Sequence, residues 1–395
     1  MLNEVCCIST TGETMIAEQT IETTDGMTRR QVLAALSSIV AYPSLELGDQ
    51  DGKFALPGHY KGKMVEVQHA QAVIEDEVQR PAIREMMSRG MKELTGETIE
   101  AAAWKRFFNP QDVVGVKVCP VGRPKSVSQP ETLAEIVRGL QLAGVPLKNI
   151  VMFNRYQEEV EIKALGQYLP DGVKWEFAVE KYDDVQTDTK GYDTSVYVEF
   201  PKVNPVAEEK NPVHRRSHLC ELVSKKFDKI INVGVLKDHA SAGITMALKN
   251  IAHGFVNNVS RTHASNANNW CDIFIPAMVA LKPTREKVVL HIGDGLIGTY
   301  DGGPGIWNPH FRTWNYGALF FATDPVAMDR IGWKILDEKR VREGLPILAE
   351  TGKALKDPGH EAFDRRQPQH VLLAGKAGLG EADLNKIDHR VVKLG

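Results

Sequence analysis

Five β-rich apolar runs, most of them followed by segments with helical spacing, constrain this chain more than any single motif does. "DVVGVKVC" (112–119) leads into "SQPETLAEIVRGLQLAG", with Ser128 as a cap and Pro130 in the first turn. "NIVMFNR" (149–155) completes a strand–helix–strand unit, whose natural form is parallel with a right-handed crossover. The alternation resumes with "CELVSKKFDKIINVGVLKD" as helix then strand, "AGITMALKNIAHGF" and "DIFIPAMVALK" as helices, and "KVVLHIGD" as strand. "GALFFATDPVAMDRIGWKILDEKR" closes it as strand, Asp324 cap, Pro325 at the first helical position, and a long helix. Such alternation predicts an α/β fold, with a mostly parallel or mixed central sheet and helices on both faces. Between Tyr156 and about His218 shorter strands and the charged, Pro-containing "FPKVNPVAEEKNPVHRRSH" interrupt it, predicting an inserted lobe.

The organisation expected is a leader over 1–48, a helical region over 49–110, and an α/β domain over 111–395 with its insertion at about 156–218. In the leader, Arg29 and Arg30 precede the apolar "QVLAALSSIVAYPSL", the pattern of a twin-arginine export signal with translation starting at Met1 or Met27. Export to the periplasm is the expectation, and a cytoplasmic protein with an ordinary amphipathic helix there is the alternative. No apolar stretch reaches the roughly 18 residues of a spanning helix, so no integral membrane span is expected.

Net charge of −3 with interspersed signs gives no basic stripe for a nucleic acid. The five cysteines contain no Cys-x-x-Cys pair, so neither a zinc knuckle nor an iron–sulfur cluster is expected.

In an open parallel sheet, ligands bind outside the carboxyl ends of the strands. Polar residues stand at each expected end: Lys117 and Cys119; Asn154 and Arg155; Lys237, Asp238 and His239; Asp294 with the Gly-rich "DGLIGTYDGGPG" that holds Asp301; and Asp324. Lys237, Asp238 and His239 can hold an anion, orient an imidazole and move a proton, or they are a solvated loop. "ASAGIT" is read as the small-residue start of a helix where amides approach an anion. Lys249 and His253, four apart, share a helix face with Asn250 and with Thr245 a turn earlier, as acid/base group and clamp, or as a solvent lysine and a C-terminal histidine. His239 and His253 together are candidate ligands for a divalent metal. Asp294 and Asp301 are candidates for a cation or a substrate hydroxyl, Asp324 for a cap, and His263 for a surface histidine.

With "DVVGVKVCPVGRP", "NVGVLKDHASAGITMALKNIAHG", "DGLIGTYDGGPG" and "FFATDPVAMDRIGWKIL", the chain resembles the family called domain of unknown function 362. The resemblance implies an α/β fold and a shared site around Lys237, His239, Thr245, Lys249 and Asn250, and no particular reaction. Some relatives carry ferredoxin-like cysteines that this chain lacks, and many have Asn where Cys119 stands. Three functions compete: a metal- or cofactor-assisted enzyme on a small anionic substrate, a non-catalytic exported binder of an anion or metal, and a redox partner of another subunit.

Overall fold

The computed structural model describes residues 54–182, 186–199, 215–259, 262, 271–349 and 368–395. The leader with Arg29 and Arg30, the cysteine pair Cys6 and Cys7, and His263 lie outside the described residues. In chain order, β1 (Lys63–His69) is followed by a small ribbon of β2 (Val73–Ile74) and β3 (Glu77–Val78), then α1 (Arg80–Thr95) and α2 (Glu100–Lys105). Next come β4 (Val114–Lys117), α3 (Pro130–Leu142), β5 (Ile150–Tyr156), α4 (Ile162–Gly166) and β6 (Lys174–Val179). The hairpin partners β7 (Tyr192–Glu199) and β8 (Arg216–Cys220) precede β9 (Lys229–His239), β10 (Gly243–Thr245), α5 (Leu248–Ala252), α6 (Cys271–Ala280) and α7 (Lys282–Lys287). The chain finishes with β11 (Val288–Asp301), β12 (Arg312–Ala322), α8 (Pro325–Arg342), α9 (Gln369–Lys376) and β13 (Asp388–Leu394).

Nine strands form one sheet in the order β13-β1-β12-β11-β9-β4-β5-β6, with β10 folded back on β9. Strands β11, β9, β4, β5 and β6 are mutually parallel; β12 runs against both of its neighbours, and β13 lies parallel to β1. The sheet is therefore mixed, with a parallel half that carries the strand ends singled out above.

Alternation along the strands divides the apolar side chains between two cores, one on each face. Val114, Val116, Ile231, Val233 and Ile292 pack with Met86, Met91, Trp104, Leu133 and Ile136 of α1, α2 and α3. Val151, Phe153, Ile230, Leu236 and Phe320 pack on the other face with Ile251, Phe274, Met278, Met328 and Leu336 of α5, α6 and α8. This is the expected α/β architecture with helices on both faces. Among the described residues no helix is long and apolar enough to cross a membrane.

Several expected elements take a different form. The region 49–110 holds the helices α1 and α2 but also contributes β1 to the central sheet. The stretch 156–218 holds the separate β7–β8 pair, yet its β6 extends the main sheet beyond β5. "AGITMALKNIAHGF" is not one helix. Gly243, at φ 75°, turns the chain so that Gly243–Thr245 pairs back on His239–Lys237, and α5 starts only at Leu248. Positive φ is the conformation that glycine adopts at little cost, which the helical reading of this segment overlooked. Ser128 does not cap α3; its hydroxyl accepts from Cys119 N at 2.8 Å and donates to Val233 O at 2.9 Å, tying the loop after β4 to β9.

Candidate functional site

From β4 the chain moves to β5 and β6 on one side, whereas β9 and β11 are added on the other side of β4. Strand order thus reverses between β4 and β9, and such a switch point opens a crevice at the carboxyl ends. A cavity of about 230 Å³ lies there. Its walls come from Lys117 at the end of β4 and Cys119 beyond it, Asn154, Arg155 and Glu159 from β5 and its loop, Lys237 and His239 from β9, and Thr245 from β10. Lys249, Asn250, His253 and Gly254 of the α5 segment, with Pro304 and Trp307 of the glycine-rich loop, complete it.

Six expected residues are brought together: Lys237, His239, Thr245, Lys249, Asn250 and His253. The β10 hairpin does part of this by setting Thr245 opposite Lys237. Three others stand outside the cavity walls. Asp238 points to the far side of β9, where its Oδ1 accepts from Gly303 N at 2.8 Å and its Oδ2 lies 3.8 Å from the Arg340 guanidinium. Asp301 accepts from Arg340 Nη1 at 3.1 Å. Asp294 accepts from Gln129 N and Thr132 Oγ1, both at 2.9 Å, and so caps α3 from another strand. Asp324 caps α8, accepting from Val326 N and Ala327 N. The start of α5 is no anion site either, because Asp329 accepts from Ala247 N at 2.6 Å and Leu248 N at 3.0 Å.

The cavity's polar groups are held by a buried network. Lys117 Nζ donates to Val118 O at 2.6 Å, Asn154 Oδ1 at 3.0 Å and Asn250 Oδ1 at 3.2 Å. Asn250 Nδ2 in turn donates to Asn232 Oδ1 at 2.7 Å, and Asn232 Nδ2 donates to His291 Nδ1 at 3.0 Å. Asn154 Nδ2 donates to Glu159 Oε2 at 2.7 Å, which fixes both the amide orientation and the carboxylate. Lys237 Nζ donates to Cys119 Sγ at 3.4 Å, to Ser126 O at 3.3 Å and to Val121 O. Gly254 makes room for Lys117, since a Cβ there would lie 2.6 Å from Lys117 Cε.

Electrostatically the cavity is cationic: Lys117, Arg155, Lys237 and Lys249 face it with Glu159 as the carboxylate among its walls. Burial pushes the Lys117 ammonium down to about 8. Burial first, and then the nearby Arg155 and Lys237 charges, bring Lys249 down to about 8 against the opposing pull of Cys271 and Cys119. Burial raises the Cys271 thiol to about 12 and Cys220 to about 11, so both stay protonated.

The two imidazoles expected as metal ligands are oriented otherwise. His239 Nδ1 accepts from Ser241 N at 3.0 Å and Ala242 N at 3.2 Å, which leaves the proton of the neutral ring on Nε2. His253 Nε2 lies 2.8 Å from Thr262 Oγ1, whose own proton goes to Val259 O at 2.6 Å, so His253 donates there. Among the described residues no group of three or more His, Cys, Asp or Glu is placed to hold a metal ion.

Lys117, Cys119, Asn154 and Arg155 are legible as strand-end residues but not as members of one constellation. Glu159 and Trp307 carry no signal of their own: one lies in a charge-rich run, the other in a glycine-rich loop. Arg340, which gathers Asp238 and Asp301, is also unmarked in the sequence.

The residues that line this crevice fall within the segment that a family model matches. The model of the family described as a domain of unknown function (DUF362) matches residues 114–334, from β4 into α8. The chain belongs to that family. No curated protein matches. Among solved structures, a crystal structure of a protein from Thermotoga maritima, determined by a structural genomics consortium, is 13% identical with a TM-score of 0.39. The match covers 68% of this chain and 60% of that one, so the chain spans less than two thirds of that protein's length.

Proposed function

We propose that this protein is an enzyme acting on a small anionic substrate, a carboxylate or phosphate, bound at the carboxyl edge between β4, β5 and β9. The observation that carries this reading is the convergence of Lys117, Arg155, Lys237 and Lys249 on one cavity whose walls, among the described residues, hold a single carboxylate, Glu159. Cations crowded into a poorly solvated space repel one another, and an anion among them relieves both that repulsion and their desolvation. Lys117 and Lys237, each fixed by three acceptors, supply charge that needs no rearrangement when the ligand enters. His239, with Nε2 as its protonated nitrogen, offers a hydrogen-bond donor to the bound anion.

Calorimetric titration of the full-length protein with oxalate, pyruvate and inorganic phosphate tests this. At least one of them binds at pH 7, and Arg155→Met or Lys249→Met weakens it about ten- to a hundredfold, the worth of one charge-assisted hydrogen bond of about 1.5–3 kcal/mol. Affinity falls as pH rises through about 8, where Lys117 and Lys249 lose their protons. No binding by any of the three, or binding indifferent to both substitutions, sinks the proposal. Binding without turnover of any carboxylate or phosphate tested leaves the capture of an anion as the function.

A further inference from the structure

A second hollow, of about 210 Å³, opens beside the cationic cavity, and Pro120, Val121, Glu159 and Trp307 belong to the walls of both. Lys237 stands where the two meet. Its Nζ donates to Val121 O, and a Cβ placed on Gly122, which lines the outer hollow, would lie 3.3 Å from that nitrogen. Trp307 is 70% exposed, more than any other large apolar side chain among the described residues, and Ile306 beside it also lines the outer hollow. The indole is nevertheless held in place. Its ring lies across Gly305, where a Cβ would run into Cζ3. Asn308 N closes the turn beneath it on Gly305 O at 3.2 Å, and Gly303 N ties the loop to Asp238 Oδ1 of β9 at 2.8 Å. A flat apolar face is thus presented, ready-made, at the mouth of a cationic cavity. We infer that the substrate is an aromatic organic anion, with its carboxylate or phosphate among the cavity's cations and its ring on Trp307, a reading that rests on the anion site proposed above.

Charge sets which end of the ligand goes where. Among the described residues the inner cavity carries four cations against Glu159, whereas in the outer hollow Arg123 is paired with Glu161 at 3.2 Å and faces Glu159 as well. The anionic end therefore goes in and the apolar end stays out. Size fits one ring: an apolar cavity of about 150 Å³ takes up benzene, and the outer hollow is somewhat larger. Shape favours an aromatic ring over an alkyl chain. A planar ring covers the indole face and adds ring–ring attraction, while a chain of equal area gives up rotational freedom at each of its bonds. A macromolecular partner suits the patch less well, because two side chains offer far less than the about 800 Å² that each partner of a stable interface buries.

The test is calorimetric titration of the full-length protein with matched pairs, pyruvate against phenylpyruvate and inorganic phosphate against phenyl phosphate. For whichever parent anion binds, the phenyl counterpart should bind about tenfold tighter or more. Trp307→Ala should bring that ratio to within about twofold of one, and Trp307→Phe should keep most of it. Ile99→Ala, which removes a 65% exposed apolar side chain outside both hollows, should leave the ratio as it is. Taking the ratio within each variant separates the loss of a ring contact from a general loss of anion affinity. Cyclohexyl phosphate has similar bulk and no aromatic face, and a gain equal to that of phenyl phosphate overturns the aromatic assignment. A ratio near one in the unaltered protein, or a ratio that survives Trp307→Ala, overturns the inference and leaves the anion site standing. Co-sedimentation with phosphatidylcholine vesicles that Trp307→Ala abolishes, without any phenyl preference, overturns it as well and makes the loop a lipid contact. No binding by any parent anion or phenyl counterpart removes the anion site and this inference together.

Discussion

A carboxyl group sealed from water takes its character from the donors around it, and Asp294 shows the balance. It accepts from Gln129 N, Thr132 Oγ1 and Leu296 N, yet burial outweighs these and raises it to about 6. A carboxyl whose folded value lies above its unfolded one stabilises the fold below the unfolded value, near 4, and loses that contribution as pH climbs through about 6. Asp294→Asn has no such titration. The stability gap between the two proteins should therefore move toward the variant by on the order of 2–3 kcal/mol between pH 4 and pH 7, read from urea unfolding at both. A gap that does not change with pH would remove Asp294 from the account. At this scale the sequence is informative about position and silent about partners. Lys237 and His239 are recognisable as strand-end residues and Lys249 and Asn250 as neighbours on a helical segment, whereas Thr245, expected a helical turn earlier, reaches the same edge through the β10 hairpin. Asp238, Asp294 and Asp301 occupy the same kind of position, but their partners Arg340 and Thr132 arrive from 39 to 162 residues away, and no local pattern announces them.

Among the elements, α8 clasps the ends of two strands. Its Arg340, 1% exposed, donates to Tyr300 O at 2.8 Å, Asp301 Oδ1 at 3.1 Å and Pro346 O at 2.8 Å, and lies 3.8 Å from Asp238. Removing one member of such a group leaves buried carboxylates facing apolar side chains. Arg340→Met should cost about 3–5 kcal/mol, and adding Asp238→Asn with Asp301→Asn should restore a measurable part of it. If the triple variant is no more stable than the single one, the loss is one of packing and not of charge. The long helices and the apolar strands were readable because periodicity over ten or more residues is a strong signal. The β10 hairpin was not: "ASAGITMAL" contains no proline and enough small and apolar residues to look helical, and the turn depends on one backbone angle at Gly243. The cap of α5 was equally hidden, since it is Asp329 of α8 that supplies it.

For the molecule as a whole, the sheet extends beyond the family match on both sides. β1 lies before residue 114 and β13 after residue 334, yet β1 pairs with β12 through Val65–Gln68 and β13 pairs with β1 along its length. Asp324 Oδ2 accepts from Gly62 N and Glu381 N, both at 2.9 Å, so the carboxylate that caps α8 also fastens the segments leading to these outer strands. A fragment of residues 114–334 should lack cooperative unfolding or aggregate, because the side of β12 that β1 covers becomes an open apolar strand edge. A sharp, reversible thermal transition in that fragment would show the outer strands to be dispensable. The stretch that the family model matches is thus shorter than the stretch that folds together. An exchange of the family segment between relatives would carry the crevice across intact and leave behind two of the strands that keep its sheet in solution.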